Sequence, residues 1–209
     1  MFTLPRDAFR VSLLRSLYLS LRYRGRIIIL RGTRLRIERG ARIQVPRGCR
    51  LVIGKSHVAG APSSLHLRPN ARLALHGRGR VTISRGARIL IMDDALLEIG
   101  SETTIHYNAA ITCVKRITIG PACAISWNVN ILDGNMHELI IDGVPRPRTR
   151  PVTLGRNAWI GCGSTVLGAT IGAGAVVGAG SVVVHDVPDK VAVAGNPARA
   201  VRKNVEWRV

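Results

Sequence analysis

The sequence predicts an all-β fold built of stacked coils. Three observations predict it. An aliphatic residue recurs every sixth position over Ile119, Ile125 and Ile131, then over Leu154, Ile160 and Val166, then over Ile171, Val177 and Val183. A longer period of eight runs ahead of it through Ile29, Ile37, Val45 and Ile53, and again through Leu67, Leu75, Ile83, Ile91 and Ile99. Third, aromatics are only 4% of 209 residues while Gly numbers 22, which favours a narrow, regular core over a bulky globular one. A unit of six or eight residues cannot bury its own apolar side, so a fixed period means that units stack.

Each unit holds two or three alternating residues and then a turn, often with Gly, as at Gly32, Gly40, Gly48, Gly79 and Gly86. Alternation marks short strands and Gly marks tight turns. Three hexads make a turn of about eighteen residues and a three-sided prism, with the aliphatics pointing at the axis and backbone groups pairing between coils. The gap from Val166 to Ile171 is five, which predicts a local kink at that corner. Arg34, Arg42, Arg50, Arg72 and Arg88 recur in the turn frame and are expected to form outward ladders of like charge.

The expected organisation has four parts: a basic amphipathic helix in 1–25, eight-residue coils in 26–100, a hexad β-helix in 101–190 with an extended loop at 132–151, and a C-terminal tail in 191–209. In the first part Phe9, Leu13, Leu17 and Leu21 share a helical stripe, with Leu14 and Tyr18 beside it and Arg6, Arg10, Arg15 and Arg22 around it. Such a helix either lies on a membrane interface or caps the open end of the coils. Net charge is +19, and residues 1–100 carry 20 Lys+Arg against 5 Asp+Glu. That imbalance suits an anionic membrane surface, an acidic glycan, a pyrophosphate-linked carrier or nucleic acid, and equally a solvated surface. No apolar run is long enough to span a bilayer and the N-terminus lacks an export signal, so a cytoplasmic location is expected, with a peripheral position on the inner membrane face as the variant. Four Cys without CxxC spacing read as reduced thiols, and no metal motif is present.

The hexads stop at "NILDGNMHE" and resume near Val152. A long excursion inside a strict repeat is functional more often than not. His137 stands at its root and is the candidate general base, since neutral imidazole accepts protons near neutral pH. Asp133, four residues earlier, either orients that ring or caps a local turn. Pro145, Pro147 and Pro151 keep the loop from joining a central strand. His106, near Asn108, is a candidate for the acceptor side, while His57, His66 and His76 read as surface or turn residues. Trp159 faces outward by hexad phase, offering a stacking surface or a contact with a neighbouring subunit. Arg199, Arg202 and Lys203 suit phosphates or form a solvated tail.

The hexad array together with "GRNAWIG", "GAGSVVVHDVP" and "GNPARAVR" resembles the hexapeptide-repeat acyltransferases of left-handed parallel β-helix fold, over roughly residues 101–204. Among them it is most similar to sugar O-acetyltransferases, and its N-terminal half looks more like the polysaccharide-modifying members. The resemblance implies a homotrimer with active sites between subunits and acetyl-CoA as acyl donor, without metal. It implies His137 as the catalytic base, Asn108 as a polar anchor on the acceptor side, and contacts to coenzyme A from Trp159, Cys162, Ala179, Val184 and His185. Asn196, Pro197, Arg199 and Arg202 would border its adenosine and phosphate end. Many members carry Lys or Arg where this chain has His185. The expected activity is acetyl transfer to a hydroxyl of a sugar or polysaccharide precursor, which is a glycan acceptor in free or lipid-linked form. Transfer to an amino sugar, and a non-enzymatic polyanion-binding module, are the alternatives.

Overall fold

The structure is a computed structural model, described over residues 11–55, 61–134 and 137–208. Phe9, Arg6, Arg10 and His57 lie outside the described residues. Nearly every element is a short strand, and apart from two antiparallel hairpins the strands form three parallel sheets. The chain visits the sheets in rotation, so each sheet is one face of a left-handed parallel β-helix.

The faces run without a break from the eight-residue region into the hexads. On the first face Ile29 lies under Ile53, then come Ile83, Ile105, Ile125, Ile160, Val177 and Val193. The two periods are therefore two sections of one stack, and the coil shortens along it. Ile29 to Ile53 is 24 residues, Ile83 to Ile105 is 22, Ile105 to Ile125 is 20, and Ile160 to Val177 is 17. An eight-residue side holds a strand such as Arg26–Ile29, with Ile27 and Ile29 both inward. A hexad side holds a strand such as Trp159–Ile160, with one inward residue. Fewer inward side chains per face make a slimmer prism.

The axis is filled by Ile, Leu, Val and Ala at close to zero exposure, from Ile27 to Val193. Truncating one such Ile or Leu to Ala typically costs 2–5 kcal/mol, because the stack leaves little room to collapse onto the gap. The five-residue gap after Val166 is taken up at the corner. Gly168 adopts φ +52, and the pairs Val166 with Val183 and Leu154 with Ile171 persist on either side. The structure thus tightens the corner and keeps the register, instead of kinking.

The arginine ladders are only partly continuous. Arg26, Arg50 and Arg80 are direct neighbours on the first face, and Arg42 pairs Arg72 on the third. Ser64 separates Arg34 from Arg88, and Leu96 follows Arg72, so like charges are spaced apart there.

Helix Leu13–Arg22 closes the first coil. Among the described residues no strand pairs the outer edge of Arg26–Ile29 beyond a single Val11–Leu30 bridge at its end, and an open edge is a pairing hazard. Ser16 and Ser20, one helical turn apart, match the two-residue repeat along the strand. The Ile29 N–H donates to Ser16 Oγ at 2.9 Å and the Ile27 N–H to Ser20 Oγ at 3.0 Å. Leu19 enters the core beside them. The capping role expected of the helix is real, but small polar residues carry it and most of the leucine stripe faces outward.

Cys49, Cys113 and Cys123 are buried free thiols, and Cys162 is half-buried. Burial pushes Cys113 up to about 12 and Cys123 up to about 11. Both stay neutral in the folded chain while the unfolded chain ionises them above about pH 9. Their contribution to stability is full below that pH and is lost as pH rises towards 11–12. Denaturant titrations from pH 8 to 11 should therefore show falling stability, with part of the slope removed in Cys113→Ala; an unchanged slope in that variant would contradict the assignment.

Candidate active site

The second face separates two corners, and the predicted site residues divide between them. One corner, between the second and third faces, carries the arm. Strand Asn130–Leu132 ends there, and the chain leaves after Asp133 to return at Val152–Leu154 on the third face.

Asp133 is fully buried, and its carboxylate points into the coil below. Oδ1 accepts the Val114 N–H at 2.6 Å, and Oδ2 accepts the N–H groups of Lys115 at 2.8 Å and Arg116 at 2.5 Å. Both oxygens are engaged by backbone, so within the chain the orienting role for His137 has no geometry. The carboxylate does cap a turn, but that of the preceding coil and not the local one expected. It locks the arm's root to the coil beneath. A Gly134–Thr149 bridge and the Arg150 N–H donating to Asp133 O at 2.8 Å close the arm's base.

His137 lies just beyond that locked root and is exposed. The arm then forms a hairpin of Ile140–Ile141 with Val144–Pro145. Asp142 and Gly143 make its two-residue turn, with φ +52 and +75, as a type I′ turn requires. The prolines do bar the arm from the prism sheets, but they permit this isolated two-stranded ribbon. Its tip exposes Leu139, Ile140, Ile141 and Val144. The returning Arg150 donates to Asp186 Oδ1 at 2.9 Å, two coils further up the same corner. Val184 and His185 sit on this corner too, His185 exposed and Val184 half-buried.

The other corner, between the first and second faces, carries Asn108, Cys162 and Ala179. Backbone bonds stack it: the Asn128 N–H donates to Tyr107 O, the Gly163 N–H to Trp127 O, and the Gly180 N–H to Cys162 O. Asn108 takes the left-handed turn position, φ +58, and is exposed. Tyr107 and Trp127 stack at 6.4 Å between ring centres. His106 meets Tyr107 edge-on at 5.7 Å, and burial pushes its imidazole down, favouring the neutral ring. Above the aromatics the corner is small. A Cβ built on Gly180 would meet nothing within 4 Å, so the corner is open to its surroundings beside Ala179.

Trp159 lies on the first face and is packed within its own chain. Its Nε1 donates to Ser126 Oγ at 3.2 Å, and its ring meets Trp207 at 5.7 Å. Trp207 donates to Asn157 O at 2.8 Å, pinning the tail along the first face. The terminal hairpin pairs Ala192–Gly195 with Ala198–Arg202, placing Asn196 and Pro197 in its turn. Arg199, Arg202 and Lys203 are exposed on it. The small open corner and these three exposed cations fit a long thioester carrying phosphates. His66 Nε2 lies 2.7 Å from Glu38 Oε1 and His76 Nε2 3.1 Å from Glu98 Oε1, both at hydrogen-bond distance. Among the described residues no group of His, Cys, Asp or Glu could hold a metal.

Trp127, Tyr107 and Trp207 were not singled out by the sequence. The first two are twenty residues apart, one coil length in that section, which is the signal for an aromatic corner. Trp207 lies beyond the repeat and has no such signal.

No family model matches the chain. It is 36% identical over 111 residues to galactoside O-acetyltransferase of Escherichia coli, covering 51% of this chain and 54% of that one. It is 29% identical over 160 residues to an uncharacterized protein from the cps region of Klebsiella pneumoniae, covering 76% and 71%. Among solved structures it superposes on the polysialic-acid-specific acetyltransferase NeuO with a TM-score of 0.57, at 22% identity over 88% of this chain and 84% of that one. It also superposes on AntD, an N-acyltransferase from Bacillus cereus in complex with dTDP and coenzyme A, with a TM-score of 0.54, at 18% identity over 89% of each chain. Over about half its length the chain is similar in sequence to curated acetyltransferases. It spans a little over half the length of the named curated relatives it matches, and the structural superpositions speak to the fold.

The locked root yields a clear expectation. Asp133→Ala leaves three part-buried N–H groups without their acceptor, which costs roughly 3 kcal/mol. Chemical denaturation should show that loss, and limited proteolysis should show faster cleavage within 134–151. Unchanged stability with lost activity would instead assign Asp133 to the chemistry.

Proposed function

We propose that the chain is an acetyl-CoA-dependent O-acetyltransferase acting on a hydroxyl of a sugar or polysaccharide precursor. The observation that carries this reading is the exposed imidazole of His137, beside a root that Asp133 fixes to the prism. A base must sit within hydrogen-bond reach of the attacking hydroxyl in a held position. A loop fixed at its root supplies that, where a free insertion would not.

His137 takes the proton of the acceptor hydroxyl as its oxygen attacks the thioester carbonyl. The imidazolium then returns that proton to the departing thiolate, so protons balance over the cycle. Backbone N–H groups of the Cys162 and Ala179 corner serve as donors to the developing oxyanion. The acyl donor supplies the activated thioester carbonyl. Arg199, Arg202 and Lys203 pair with its phosphates, and His185 lines the far corner.

We read the assembly as a homotrimer, and two features support sites formed between copies. His137 and the Asn108–Cys162–Ala179 corner lie at opposite edges of the second face, which is the width of a strand of three or four residues, about 10–13 Å. A neighbouring copy that apposes its own corner to this arm joins them. The apolar tip at Leu139, Ile140, Ile141 and Val144 also needs a cover, and a neighbouring copy supplies one. A cytoplasmic location suits the reduced thiols and the cytoplasmic supply of acyl donor. The basic N-terminal half serves to hold the enzyme at an anionic surface or at a lipid-linked acceptor. Among the described residues no helix is long and apolar enough to cross a membrane.

The test is thiol release from acetyl-CoA with a panel of sugar and oligosaccharide acceptors. Wild type should release thiol with at least one hydroxyl acceptor. His137→Ala should lose about 100-fold or more in kcat with unchanged stability, as expected for an exposed base. Coenzyme A binding without turnover on any acceptor, or a fully active His137→Ala, would contradict the reading. Product analysis by mass spectrometry after mild alkali separates an ester from an amide.

A further inference from the structure

Helix Leu13–Arg22 is mounted the unusual way round. Its contact side is Ser16, Leu19 and Ser20, and its most apolar side faces away from the prism. Leu13, Leu14, Leu17, Tyr18 and Leu21 are 59–84% exposed. At 100° per residue these five span an arc of about 140° on the outward side, wide enough for the apolar face of a surface helix. A helix kept only as a cap has no use for such an arc.

Charge surrounds it. At the foot of the helix an open groove of about 600 Å³ is lined by Arg24, Arg26, Arg47 and Arg50, and no acidic residue lines it. Arg22 lies over the Tyr23 ring at 5.6 Å, on the rim of the apolar arc. Arg26 and Arg50 belong to the three-rung ladder on the first face, where direct stacking of like charges calls for counter-charge. A second copy of the chain would bring the same cations against these, so like-charge repulsion disfavours it as the occupant. Anionic headgroups with an acyl layer behind them complement both the arginines and the leucines.

We propose that this end of the prism docks on an anionic lipid bilayer. The outward leucines enter the headgroup–acyl boundary, and the groove arginines contact lipid phosphates. The proposal deepens the anionic-surface reading above and rests on it for the charge contribution; the apolar contribution stands on the helix alone. A helix of ten residues is about 15 Å long, so neither contribution holds the protein by itself and the two act together.

The experiment is co-sedimentation of the full chain with vesicles of phosphatidylcholine, with and without phosphatidylglycerol. Wild type should sediment with phosphatidylglycerol vesicles and stay in solution with phosphatidylcholine alone. Leu14→Ser/Leu17→Ser and Arg47→Gln/Arg50→Gln should each weaken that partition about tenfold. Both variants should keep wild-type turnover on a soluble acceptor, which shows that they are folded. Failure of wild type to sediment would overturn the anionic-surface reading altogether. Sedimentation undiminished by the leucine pair would overturn the role of the helix while leaving the charge reading intact. A changed oligomeric mass of the leucine variant in light scattering, without loss of vesicle binding, would make this face a protein interface and overturn the proposal.

Discussion

The interaction on which the rest of the structure depends is the stacking of one coil's inward aliphatic on the next, with the backbone ladder that follows from it. A strand of two to five residues buries too little to exist alone. Once Ile29, Ile53, Ile83 and Ile105 lie in line, every coil closes the apolar side of its neighbour, and the N–H and C=O groups of each face find partners by the same act. The ends of the stack are where this rule lapses, and there the chain substitutes other devices. Ser16 and Ser20 hydrogen-bond the first strand's edge at one end. At the other the terminal hairpin pairs back on Ala192–Gly195, and Trp207 binds the tail to the first face.

The same constraint decides what can be chemical. Inward positions are committed to packing, and the candidate catalytic groups stand at corners or on the excursion. The two corners flanking the second face differ accordingly. One carries an arm whose root is fastened by a buried carboxylate. The other carries a stacked aromatic pair beneath a run of small residues. Neither is a complete site. In the proposed shared site they supply a base, a polar anchor and room for a long ligand, one copy's arm meeting another copy's corner.

Period and phase were legible in the sequence because the stack makes them obligatory: Ile119, Ile125 and Ile160 are inward as their spacing requires. That the eight-residue units continue the same prism was not legible, since either period suits a stack and only pairing across residue 100 joins them. His137 stood out because it breaks a strict repeat. Asp133 was ambiguous because a carboxylate four residues from a His and one capping a turn look alike until the backbone donors at 114–116 are in place. The outward mounting of the first helix was hidden for a related reason. Its leucine stripe announces an apolar face, whereas the serines that anchor it carry no periodic signal.

The central claim is that one site is shared between two copies, an arm from one and a corner from the next. Subunit complementation tests it most directly. His137→Ala lacks the base, and Ala179→Trp blocks the open corner, so each alone should be inactive. If the site is shared, oligomers formed by co-expressing the two variants contain seams with an intact arm against an intact corner, and acetyl transfer returns. If mixed oligomers show no more activity than the two variants measured separately, arm and corner serve the same copy and the account is wrong.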